Sequence, residues 1–239
     1  DEAASEDAAA VDDARAHTPA LADTGISVGG AVRFQYSREG YNADNRRRNG
    51  DGDFDIFRLD LRGTVGGVTL DAQWRWFQYM SAMHHAWLGY DLDENSQLQV
   101  GLTRIPFGNQ PYNSHSYFFS SNYYMGLEDT YAMGAQYIYD SDPWNVQLAF
   151  FKNDGMGGVD GYVSDRTASY SYNVTGVRQP GEGIFDDPSH PAGAVNSMAG
   201  RFARTFAVGD DLSIEAGASL LHGKLRDATS SIGDYSAWA

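Results

Sequence analysis

Five arginines, Arg33, Arg58, Arg62, Arg75 and Arg201, sit inside stretches where apolar and polar residues alternate. In an extended chain that alternation puts each of them on the polar side. Residues two apart on a strand stand about 6.6–6.8 Å apart on one face, so Arg58 and Arg62 are expected to bracket Asp60 along a wall. A row of guanidinium groups in a wet passage can hand anions along, as charged rings do in selective pores. The same arginines could equally pair with Asp60, Asp71 and Glu215 and only stabilise the wall. Arg104 is harder to place. Strict alternation sends it to the apolar side with Leu102, unless a bulge intervenes or it already lies at a rim.

Other residue types with chemical potential do not assemble. The adjacent His84 and His85 are expected on opposite faces, and His17, His115, His190 and His222 are scattered. A hydrolytic site needs a nucleophile, a base and an orienting group together, and no serine falls opposite His85. Cysteine is absent, which removes disulfides, thiolate metal sites and thiol nucleophiles. The stretch 153–195 is Gly-rich and acidic, with Asp154, Asp160, Asp165, Glu182, Asp186 and Asp187. Their spacing matches no defined cation-binding loop, so a solvated external connection is expected and no metal or cofactor. The reading is a non-enzyme.

The stretch 106–129 carries many rings: Tyr112, His115, Tyr117, Phe118, Phe119, Tyr123 and Tyr124, closing on Glu128 and Asp129. A free loop exposing so much apolar surface would aggregate. It is expected either to fold inward as a constriction, with Tyr112, His115, Tyr117, Phe119 and Tyr124 facing the passage, or to latch over a neighbouring subunit.

The elements that hold these residues are strands. From Gly25 onward the period is two. Ile26, Val28, Val32, Phe34 and Tyr36 share one face of the first. Phe57, Leu59, Leu61 and Val65 mark the second, with Arg58, Asp60, Arg62 and Thr64 opposite. Gly66-Gly67 supplies a two-residue hairpin. Val68, Leu70, Ala72, Trp74 and Trp76 oppose Thr69, Asp71, Gln73 and Arg75 in the third. Ala86, Leu88, Tyr90 and Leu92 mark the fourth, and Leu98, Val100 and Leu102 the fifth. Tyr131, Met133, Ala135, Tyr137 and Tyr139 share a face of the sixth, and Trp144, Val146, Leu148 and Phe150 one of the seventh. Met198, Phe202, Phe206 and Val208 mark the eighth, Leu212 to Leu220 the ninth, and a tenth begins near Tyr235.

The connections alternate in length: 38–53, 66–67, 78–83, 93–96, 106–129, 140–143, 153–195, 209–211 and 223–232. Tight turns at one end and long loops at the other are expected of an outer-membrane barrel and not of a soluble sandwich. The apolar-face positions carry no Asp or Glu, as a lipid-facing surface requires. A closed core would not tolerate the charges on the other face, whereas a wet lumen does.

The totals agree. The 239 residues are 42% hydrophobic and 13% aromatic, with 27 Gly and 15 Tyr. No run of eighteen apolar residues provides a membrane helix. The formal charge of −15 argues against nucleic acid as a partner. Residues 1–24 hold seven acids against Arg15 alone, and are expected to be a disordered periplasmic tail ahead of a barrel domain over 25–239.

The segment Val100-Gly101-Leu102-Thr103-Arg104-Ile105-Pro106-Phe107-Gly108 resembles a strand-end motif of the phosphate-selective porin (O and P type) family of bacterial outer-membrane porins. In that motif a Gly, a basic residue and Pro-Phe lead into the loop that enters the channel. Phe57-Arg58-Leu59-Asp60-Leu61-Arg62-Gly63, followed by a Gly-rich hairpin and a strand rich in Trp and Arg, is similar to the same family. The resemblance implies an all-β transmembrane antiparallel up-and-down barrel, of sixteen strands when complete and nine to ten here. It further implies a homotrimer in outer-membrane lipid and lipopolysaccharide, a small anionic solute such as phosphate, and an inward position for Arg104. The chain carries only two lysines, Lys152 and Lys224, where the family has a phosphate-binding lysine cluster. Two other readings stay open: a barrel that sheaths a partner such as a multihaem cytochrome, and a soluble sandwich that binds carbohydrate.

Overall fold

A computed structural model describes residues 25–78, 80–110, 121–155, 170–171, 193–209, 212–227 and 229–239. The acidic segment 1–24 lies outside them. The described chain forms one ten-stranded antiparallel meander in which each strand pairs with its sequence neighbours. The strands are β1 (Gly25–Ser37), β2 (Asp51–Val65), β3 (Val68–Phe77), β4 (Ser81–Asp93) and β5 (Ser96–Arg104). There follow β6 (Tyr131–Ser141), β7 (Trp144–Asp154), β8 (Gly193–Ala207), β9 (Ser213–Arg226) and β10 (Ser231–Trp238). β1 and β10 stand at the two edges.

Local chemistry accounts for the tight turns. Gly66 and Gly67 have φ of 61° and 80°, the left-handed pair that a two-residue hairpin matched to strand twist requires. In the first long connection the chain forms a helical turn instead of continuous loop (α1, Ala43–Arg48). The Asn42 side chain caps it by accepting from the amides of Asp44 and Asn45, and Asn49 closes it in the left-handed region at φ 64°. The turns joining β2–β3, β4–β5 and β6–β7 are two residues each. The β3–β4 connection is shorter than expected, because β4 starts at Ser81. The contrast between the two ends of the sheet therefore rests on the connections after β1, β5 and β7, which all leave from one end.

The two faces of the sheet are inverted relative to a water-soluble protein. Val28, Leu88, Leu148 and Phe202 are 69%, 53%, 59% and 52% exposed, whereas Asp71, Gln97, Gln147 and Arg201 are 6%, 0%, 1% and 6% exposed. Soluble folds bury the first kind of residue and leave the second kind outside. The outward rings pack sideways along the surface: Phe57 stacks on Trp76 at 5.2 Å, and Trp144 tilts against Phe202 at 5.1 Å. No helix among the described residues is long and apolar enough to cross a membrane.

The covered face is not uniformly polar. Ala132, Phe151, Ala199 and Leu221 form an apolar patch on it, packed against Ile105, Phe107 and Leu127. All three of the latter belong to the β5–β6 connection, so that connection lies on the covered face at these points.

Candidate functional site

The polar side chains of β2, β3 and β4 converge on the covered face of the sheet. Register sets the pairs. Arg62 stands opposite Asp71, Asp60 opposite Gln73, and Arg58 opposite Arg75. The first pair closes an ion pair at 2.9 Å. Two guanidiniums opposite each other repel, and each of that last pair turns to an acceptor. Arg58 Nε donates to Asp60 at 3.1 Å. Arg75 donates to Gln73 at 2.5 Å and to the Tyr170 hydroxyl at 3.0 Å, with its guanidinium 4.6 Å from the Tyr170 ring centre.

A β-bulge in β4 overturns the expectation for the histidines. Gln73 pairs with His85 and Trp74 with Met83, so His84 is an extra residue. A bulge breaks the period of two locally. Both histidines are therefore buried on the covered face, His84 at 3% and His85 at 8% exposure. Their Nδ1 atoms are 2.7 Å apart, and His85 Nε2 lies 3.0 Å from Asp71 Oδ1.

The long connections complete the cluster. Asp129, in the left-handed region at φ 49°, accepts hydrogen bonds from the hydroxyls of Tyr131 at 3.0 Å and Tyr170 at 2.8 Å. Tyr123 donates to the Tyr170 carbonyl at 2.8 Å, and the Tyr131 amide donates to Ser171 Oγ at 3.0 Å. Burial opposes ionisation of Asp129, but His84 when protonated, together with Arg104 and Arg75, more than offsets it and holds the carboxyl below the usual carboxylate range. Burial and the adjoining Asp129 push the Tyr170 hydroxyl well above its ordinary value. Tyr170 thus stays a neutral donor to an ionised carboxylate.

Tyr131 is a correction. Alternation grouped it with Met133 on the apolar side, but it is buried with Ala82, Tyr123 and Tyr170. Arg104 donates to the Tyr131 hydroxyl at 3.0 Å and, with Asp71, His85, Gln99 and Gln136, lines a cavity of about 60 Å³ on the covered face. The inward position is the one seen. As the last residue of β5, Arg104 has no further strand residue to keep in register. No local sequence pattern marks Tyr170, which lies in the stretch expected to be a solvated external connection, yet it is 3% exposed.

A second group lies across β7, β8 and β9. Arg201 Nε donates to the Gly108 carbonyl at 2.9 Å and Nη1 to Asn145 at 2.7 Å, while Nη2 pairs with Glu215. The Gly108 amide donates to Ser219 at 2.9 Å, and Gln147 donates to Gln110 at 2.8 Å. These bonds lay residues 108–110 over the polar face. Tyr112, His115, Tyr117 and Phe119 lie outside the described residues. Tyr124 ends a short helix (α2, Ser121–Tyr124), and only its backbone is described.

The arginines divide by access. The Arg62 side chain is 40% exposed over a carboxylate that is 8% exposed, and Arg33 is 56% exposed over Asp55 at 16%. Arg201 is reversed, 5% exposed beneath Glu215 at 42%. Arg33 and Arg62 leave their guanidinium groups reachable from solvent, whereas Arg58, Arg75 and Arg201 hold structure together. Among the described residues no group of three or more His, Asp or Glu side chains is placed to hold a metal ion.

The chain matches no known family model and no curated protein.

Proposed function

We propose that this chain is part of an outer-membrane porin, a closed β-barrel passing small anionic solutes such as phosphate through a water-filled lumen. The observation that carries the reading is the inverted polarity of the sheet. Large apolar side chains stand exposed along every strand, and the buried face carries Arg, Asp, Gln and His. Lipid rewards the first arrangement and a wet lumen the second. The meander of hairpins, with three long connections at one end, supports the same reading. So does the β5–β6 connection, which lies against the polar face where it would narrow a passage. The solvent-reachable guanidiniums of Arg33 and Arg62 supply the anion preference. On this reading the partners are membrane lipid, lipopolysaccharide and two further copies in a trimer.

The test is single-channel conductance and reversal potential of the detergent-extracted protein in a planar bilayer under a KCl gradient. Stepwise conductance with anion preference is expected, and Arg62→Ala should reduce that preference. Steps with cation preference would remove the anion reading and keep the channel. Folded, inserted protein that gives no steps would overturn it in favour of a plugged or partner-filled barrel.

A further inference from the structure

Within the Arg–His–Tyr cluster one buried atom has no hydrogen-bond partner, the Nε2 of His84. It faces Asp129 Oδ2 at 3.6 Å, beyond hydrogen-bond length. The neighbouring bonds determine how many protons the pair carries. Asp71, ion-paired to Arg62, is a pure acceptor, so His85 Nε2 carries a hydrogen and donates to it. The two Nδ1 atoms at 2.7 Å share one hydrogen, because two N–H groups cannot point at each other. The neutral pair therefore places a lone pair of His84 Nε2 against a carboxylate oxygen, acceptor against acceptor. That nitrogen is the one site left for a further proton.

We propose that His84 and His85 form a proton-operated latch, in which one proton taken up at His84 Nε2 binds Asp129 and tightens residues 121–131 onto the polar face of the sheet. The new N–H points at Asp129 and turns this acceptor-against-acceptor contact into a charge-assisted bond. Burial is the largest influence on His84 and opposes its charged form, and the elements around it act in both directions. β3 supplies Asp71, which favours the cation through His85, and Arg75, which opposes it. β5 supplies Arg104, held away by the Tyr131 hydroxyl. The rings of Tyr131 and Tyr170 lie 4.4 and 4.2 Å from the His84 ring, tilted against it by 54° and 52°. Asp129, held below the usual carboxylate range, stays ionised as the pH falls and remains an acceptor. It also holds Tyr170, so a single proton is felt in both the β5–β6 and β7–β8 connections.

The latch itself does not depend on the channel reading; a pH-dependent conductance would. The experiment is amide hydrogen exchange of the folded, full chain in detergent at pH 8 and pH 4, corrected for intrinsic exchange rates. In the wild type, protection over 121–131 should rise about tenfold at the lower pH, the scale of one charge-assisted bond. His84→Gln and Asp129→Asn, both close in shape, should each show no such rise. A wild type without the rise, or a rise that survives in either variant, overturns the latch. Conductance of the same samples separates the two ideas. If no channel steps appear while the exchange result holds, the porin reading falls and the latch stands. If steps appear and the exchange result fails, the reverse follows.

Discussion

Asp71 of β3 joins two partners on different strands: Arg62 at 2.9 Å across one strand pair and His85 at 3.0 Å across the next. Its carboxylate ties β2, β3 and β4 into one polar layer. Breaking that layer leaves charges buried without partners, which costs far more than the pair itself contributes. The same logic, applied to other positions, yields measurable outcomes.

Leu148, in the middle of β7, is 59% exposed. On a lipid-facing surface Leu148→Arg should cost about 2–4 kcal/mol of folding free energy in phospholipid vesicles. On a surface facing water it should change stability by less than about 0.5 kcal/mol. Urea titration of vesicle-reconstituted protein distinguishes the two, and the smaller value would remove the membrane reading.

Arg201 spans Gly108, Asn145 and Glu215. Arg201→Ala leaves the Gly108 carbonyl without its donor, while Asn145 keeps the hydrogen bond from Gln147, at a cost of about 1–3 kcal/mol. Protease cleavage near residues 105–110 should accelerate in that variant, while Arg33→Ala, at the exposed edge, should cut at the wild-type rate.

Gly101 of β5 has φ of 136°, a conformation L side chains rarely adopt, and a methyl group there would press on the Ala86 carbonyl and stand 2.8 Å from Trp87 Cα. Gly101→Ala should destabilise the protein by about 1–3 kcal/mol through strain and overpacking. The denaturation midpoint checks this, with Gly40→Ala, where no atom lies within 4 Å, as the silent control.

Asp227 caps the turn after β9. The amides of Thr229 and Ser230, then the Ser230 hydroxyl, lower its pKa from 3.8 to about 2. A depressed folded-state pKa means that the turn's contribution is complete above the ordinary value and lost as pH falls through the folded one. The amide resonances of Thr229 and Ser230 should hold their positions at pH 5 and move between about pH 4 and pH 2. A midpoint near 4 would show that the cap bonds are not formed.

Much of this architecture is legible in residue order because a strand's side-chain period is two and purely local. Thr69, Asp71, Gln73 and Arg75 against Leu70, Ala72, Trp74 and Trp76 assign both faces of β3 without any knowledge of its neighbours. Gly66-Gly67 marks its turn for the same reason, since positive φ is a property of the residue itself. What tertiary structure alone decided is how the elements meet. The bulge that turns both His84 and His85 inward depends on the register of β4 against β3, which no residue of β4 encodes by itself. Tyr170 reaches Asp129 across 41 positions of sequence. The arginines and the candidate acids Asp60, Asp71 and Glu215 were visible from the start, but which acid meets which arginine was not, because a salt bridge across strands is set by register and by the room each side chain finds.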